Sequence, residues 1–125
     1  MKIKEIEIPI YSYKLYYIEV EKYESKTLKE IEKLFDKINL DCLDDVKTHF
    51  ENKDIGCATT YHRPGDLTIV IIIYPSESNS RRLECICHEK RHAEDDIANR
   101  LGIENDNEAV AYLAGYLATV LPIVK

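Results

Sequence analysis

The chain has 125 residues, 45% of them hydrophobic and 32% charged, which suits one ordinary domain and excludes both two separate cores and a disordered segment. Its formal net charge is −6 and its pI about 5.2, so there is no electrostatic ground for nucleic acid or an anionic membrane as a partner. The longest purely apolar run, Ile69 to Ile73, is far too short to cross a bilayer.

In chain order, Lys2 to Ile10 sets Ile3, Ile6, Ile8 and Ile10 inward against outward charges and reads as a strand. This alternation builds no uninterrupted apolar stretch of the kind that directs secretion. Tyr13 to Val20 is aromatic and β-branched, a second strand. Ser25 to Ile38 spaces Leu28, Ile31, Leu34, Phe35 and Ile38 by threes and fours, which predicts an amphipathic helix capped by Ser25 or Thr27. Asp41 to Asn52 predicts a shorter helix with Leu43, Val46 and Phe50 on one side.

Cys57 to His62 and Leu67 to Tyr74 then read as a hairpin turned by Pro64, Gly65 and Asp66. The Ile/Val run of the second arm predicts a central strand buried on both faces, which leaves Cys57 to His62 as the expected sheet edge. Asn79 to Leu101 predicts a long helix ended by Gly102, with Leu83, Ile86, Ala93, Ile97 and Leu101 packed on the sheet. Asp106 or Asn107 opens a last helix that runs to about Leu121 and stops at Pro122. No repeat or Gly/Pro/Ser-rich linker interrupts residues 1–125, so the order β-β-α-α-β-β-α-α predicts a single α+β domain with a mostly antiparallel sheet. The pair Arg81-Arg82 reads as a solvated face. Cys42, Cys57, Cys85 and Cys87 fall in periodic segments and are expected to be reduced and mostly buried, as in a cytoplasmic protein.

The chemistry-bearing motif is His88-Glu89-Lys90-Arg91-His92. Histidines at i and i+4 lie one above the other on a helix, so both imidazoles reach one ion. Glu89 projects beside them, where it takes a proton from water activated by zinc. The competing reading is a charged helix carrying two surface histidines. A catalytic zinc takes three protein ligands and keeps one position open, so a third group is required. The downstream acids are Asp95, Asp96, Glu104, Asp106 and Glu108. Asp96 stands about 12 Å along the helix from His88, too far to share its ion. Glu104 and Asp106 fall in the following loop. Glu108 opens a returning helix that approaches from a second direction, and it is preferred over its other reading as an acid favoured at a helix N-terminus. Tyr112, one turn further, is a candidate oxyanion donor, and His62 a weaker site candidate.

HEKRH, Gly102 and the stretch NEAVAYLAGYL resemble the gluzincin arrangement, in which HExxH supplies two zinc ligands and a glutamate on a following helix supplies the third. More narrowly, the chain is similar to small HExxH zinc-peptidase-like proteins encoded by phages and mobile elements of gut bacteria. The resemblance spans roughly Ile69 to Leu121. It implies a small zincin-like domain, Zn2+ as cofactor, His88, His92 and Glu108 as ligands, Glu89 as general base, and a peptide or protein substrate. Asn107-Glu108 matches the Asn-Glu-x-x-Ser-Asp stretch of the larger thermolysin-like enzymes, but Ala111 and Tyr112 replace its last two residues. The carboxylate that supports the first histidine in those enzymes is thereby missing, and so is their second, substrate-binding domain. A zincin-fold binding or structural protein that cleaves nothing is the alternative expectation.

Overall fold

The computed structural model describes residues 1–8, 11–53, 56–63 and 66–122. Among them the element order is β1 (Lys2–Ile8), β2 (Tyr13–Glu19), α1 (Ser25–Lys37), α2 (Leu43–Glu51), β3 (Ala58–His62), β4 (Thr68–Ile73), α3 (Asn79–Leu101) and α4 (Asn107–Val120). This is the α+β order that the residue patterns predict. Ile10 and the Pro64-Gly65 part of the hairpin turn lie outside the described residues.

The strands form one mixed sheet ordered β1-β2-β4-β3. β1 pairs antiparallel with β2, and β3 antiparallel with β4. The two hairpins join through a parallel β2–β4 pairing, with Leu15 opposite Ile69 and Ile18 opposite Ile72. Mostly antiparallel pairing and the edge position of β3 both match expectation. β4 is central because Ile69 to Ile73 has no polar alternation to offer a solvent face, and all five residues are buried.

The parity of each strand then assigns two cores. Ile6, Ile8, Leu15, Tyr17, Ile69, Ile71 and Ile73 face α3 and α4, meeting Ile86, Ala93, Ile97, Leu113 and Leu117. Tyr16, Ile18, Val70, Ile72 and Tyr74 face α1 and α2, meeting Ile31, Phe35 and Val46. Each fully buried aliphatic side chain contributes about 1.5–3 kcal/mol, and together they oppose the entropy of ordering the chain.

Several local expectations are corrected. Ile3 is 44% exposed, because its odd position puts it on the opposite face from Ile6 and Ile8. α1 is preceded by Glu24, whose side chain makes no capping bond, so neither Ser25 nor Thr27 is the cap. Leu83 is 43% exposed, and Arg82 takes the inward place on the α3 stripe. Arg82 is no solvated arginine: its guanidinium donates to Glu19 Oε1 at 2.6 Å and to the Pro122 carbonyl at 2.8 Å, and Tyr17 also donates to Glu19 at 2.7 Å. The cysteines differ too. Cys57 and Cys85 form a disulfide with their Cα atoms 6.3 Å apart, Cys42 is half-buried and Cys87 exposed. Among the described residues, no helix is long and apolar enough to cross a membrane.

Candidate metal centre

α3 positions the motif. Ser78 opens the helix by accepting from the Arg81 amide at 3.1 Å, and Gly102 closes it with φ 69°, a left-handed conformation that suits glycine. Between these caps the helix is uninterrupted, so His88 and His92 stand one turn apart on its solvent side. Their Nε2 atoms converge to 3.0 Å and the ring centroids lie 4.7 Å apart. Two nitrogens on a tetrahedral zinc, each about 2.0–2.1 Å from the ion, stand about 3.3 Å apart, so the pair fits the ion with a small outward rotation.

Glu89 turns the other way, under the edge strand, and is only 5% exposed. Strand alternation points Thr60 at α3, and its hydroxyl donates to Glu89 Oε2 at 3.1 Å. The ligand atoms of His88, Glu89 and His92 all lie within 4.8 Å of one another, the one such grouping among the described residues. An orienting hydrogen bond on one carboxylate oxygen leaves Oε1 available for proton transfer. Two imidazoles with a carboxylate beside them are a grouping that could hold a divalent metal such as zinc.

The remaining candidates are elsewhere. Glu108 is exposed in the first turn of α4. α3 continues nine residues beyond His92, to Leu101, so α4 starts about 13 Å further along the axis. α4 then runs back over the β1 side of the sheet, where Tyr116 donates to the Glu7 carbonyl at 2.8 Å and Lys4 to the Val120 carbonyl at 3.0 Å. The histidines flank β3, at the opposite edge. The structure therefore does not bring Glu108 to the pair, and Tyr112, 74% exposed one turn later, does not reach it either. Asp106 caps α4 by accepting from the Ala109 amide at 3.0 Å, and Glu104 is exposed in the loop. Asp95 pairs with Arg91 at 3.3 Å.

Asp96 is occupied as well. It accepts from Arg100 Nε at 3.2 Å and from Tyr13 at 3.4 Å, and it faces His62 Nδ1 at 3.6 Å. Burial first, and then the Asp96 charge, push the Tyr13 hydroxyl up to about 12.

An open groove of about 630 Å³ runs beside β3 from Glu89 and His92 past Thr60 and His62 to Asp96 and Asn99. A second cavity, of about 530 Å³, lies on the His88 flank and is lined by Cys57, Cys85 and Arg81 among others. Sequence reasoning missed Thr60 and the disulfide. Alternation in CATTYH groups Ala58, Thr60 and His62 on one face, but it does not say which face meets α3.

No family model, curated protein or solved structure matches this chain.

Proposed function

We propose that the chain is a zinc-dependent hydrolase of peptide bonds, with His88 and His92 as zinc ligands and Glu89 as general base. The observation that carries this reading is the convergence of the two Nε2 atoms to 3.0 Å beside a buried carboxylate held by the edge strand. Zinc, when bound there, acidifies water toward neutral pH and polarises a carbonyl oxygen. Glu89 Oε1 accepts the proton of the water that attacks the carbonyl carbon. The same carboxyl returns that proton to the amide nitrogen as the C–N bond breaks. Thr60 keeps the carboxylate in reach of both atoms. β3 is an open edge with a groove along it, so an extended peptide pairs with its free backbone groups and lies across the site. The gluzincin-like resemblance of HEKRH and NEAVAYLAGYL is compatible with this chemistry, but Glu108 takes no part in it as the helices are arranged here.

A second reading is favoured by one observation: among the described residues, no third protein ligand joins the histidines and Glu89. In that reading the same pair holds zinc in a binding or structural protein that cleaves nothing. As for compartment, the Cys57–Cys85 bond favours an oxidising setting over the cytoplasmic one that four free thiols imply.

Elemental analysis of the purified chain, followed by peptide-library hydrolysis, separates the readings. The hydrolase reading expects about one zinc per chain, lost in His88→Ala and in His92→Ala. Glu89→Gln keeps the zinc and loses turnover by about 10²–10⁴-fold. Zinc retained with no hydrolysis by the native chain selects the second reading, and no zinc after reconstitution ends both.

A further inference from the structure

We infer that the Cys57–Cys85 disulfide is a redox latch that holds the edge strand β3 against the motif helix α3, so that the site works when the bond is closed and is disabled when it is reduced. This regulation rests on the hydrolase reading above. The geometry is specific. Cys57 immediately precedes β3, and Cys85 lies on α3 three residues before His88 and four before Glu89, on the turn that leads into the site. The residue that orients Glu89, Thr60, is three positions beyond Cys57, on β3.

Among the described residues, three residue pairs link Cys57 and β3 to α3. They are the disulfide, the Thr60 hydroxyl on Glu89 at 3.1 Å, and the contact of half-exposed His62 with Asp96 at 3.6 Å. The last two are a single neutral-donor hydrogen bond and a long contact in partial solvent, both weak. On its other side β3 is held by β4, the Tyr74 amide donating to the Cys57 carbonyl at 2.9 Å, and beyond β3 the sheet ends. Opening the disulfide therefore loosens the Cys57 end of the edge from the helix, while its pairing with β4 persists and Arg100 of α3 still holds the Arg63 and Asp66 carbonyls past the other end. Thr60 then drifts from Glu89, and the base and the peptide-pairing edge lose their common register.

The bond is reachable. Cys57 is half-buried and, with Cys85, lines the open cavity beside His88, whereas Cys85 itself is buried. The reductant is a dithiol. Its thiolate attacks Cys57 Sγ, the S–S bond breaks, and Cys85 leaves as a thiolate that takes up a proton. The second thiol of the reductant then displaces Cys57 and closes its own disulfide, so two electrons pass from the dithiol to the protein cysteines.

The test is hydrogen exchange by mass spectrometry on the whole zinc-supplied chain, before and after dithiothreitol, with free thiols counted, metal measured and peptide hydrolysis followed in both states. The expected result is two free thiols (Cys42 and Cys87) before treatment and four after it. Exchange over 56–62 rises about tenfold or more on reduction while β2 and β4 stay protected. Hydrolysis falls by a similar factor with zinc retained, and reoxidation restores it. Four free thiols in the untreated chain would overturn the latch. So would unchanged exchange and turnover after reduction, or exposure of the whole core, which makes the bond a global staple. Hydrolysis unchanged on reduction, with zinc present, sinks the latch and leaves the hydrolase standing. Exchange over 56–62 that responds in a chain holding no zinc in either state sinks the hydrolase, while the latch survives as a conformational device.

Discussion

His49 sits on the α1–α2 side of the sheet, its ring stacked on Tyr74 with centroids 4.6 Å apart and its Nδ1 2.9 Å from the Asp45 carbonyl. His88 and His92 stand on the α3 side, exposed, and among the described residues their ring nitrogens bond each other. All three imidazoles lie on amphipathic helices with polar neighbours one turn away. The first is packing for an aromatic cluster of Tyr23, Phe50 and Tyr74, and the other two are convergent donors with open space in front of them. Spacing alone therefore does not make a site. Solvent access and a buried carboxylate beside the pair are what separate two candidate ligands from a core ring.

The two sides differ in charge as well. The α1–α2 core is aliphatic and aromatic, with the Tyr61 hydroxyl donating to Asp45 at 2.5 Å at its margin. The α3–α4 side buries Glu19, Arg82, Glu89 and Glu94. Of these, Glu19 and Arg82 neutralise each other and Glu94 is bonded by Lys90, whereas Glu89 meets only the neutral Thr60 hydroxyl among its described partners. A buried carboxylate without a cation is costly, and a bound metal beside it offsets that cost.

The sharpest way to break this contrast is to remove a structural charge from the α3 side. Arg82→Met removes the guanidinium bonded to the buried Glu19 carboxylate and is expected to cost about 3–5 kcal/mol in urea unfolding, with zinc content per folded chain unchanged. His49→Ala empties a packed position and is expected to cost about 2–4 kcal/mol, again without loss of zinc. In the zinc-free chain, His88→Ala is expected to change stability by less than about 0.5 kcal/mol, because its ring covers no core. Equal stability losses at His49 and His88 would erase the distinction between a core ring and a solvent-side pair.

A gentler probe is alkaline pH. Tyr13 ionises at about 12 when folded and near 10 when unfolded, so its contribution is fully present below about pH 10. Between these values the unfolded chain loses its proton first, and stability falls as pH rises. Tyr17, Tyr61 and Tyr74 are also raised by burial, so Tyr13→Phe is expected to reduce the slope of unfolding midpoint against pH without abolishing it. The smallest effect is reserved for Glu108→Ala. Its place on the β1-side helix predicts unchanged zinc stoichiometry, and loss of the metal would show that α4 can rearrange to supply the third ligand.

Much of this molecule was determined by the sequence itself. Period-two and period-3.6 patterns named eight elements in the right order, and the absence of polar alternation in Ile69 to Ile73 made β4 central and β3 an edge. Gly102 and the Asp106-Asn107 pair marked the ends around the last loop, and HEKRH on a helix necessarily stacks its histidines. The tertiary structure alone decided which face of β3 meets α3, and hence that Thr60 holds Glu89. It also brought Cys57 to Cys85 across 28 positions, buried Arg82 against Glu19, and carried Glu108 away from the histidines. The physical reason is common to all four. Local periodicity fixes directions along one element, whereas these contacts depend on how far α3 runs before it turns and on which edge of the sheet α4 comes to cover.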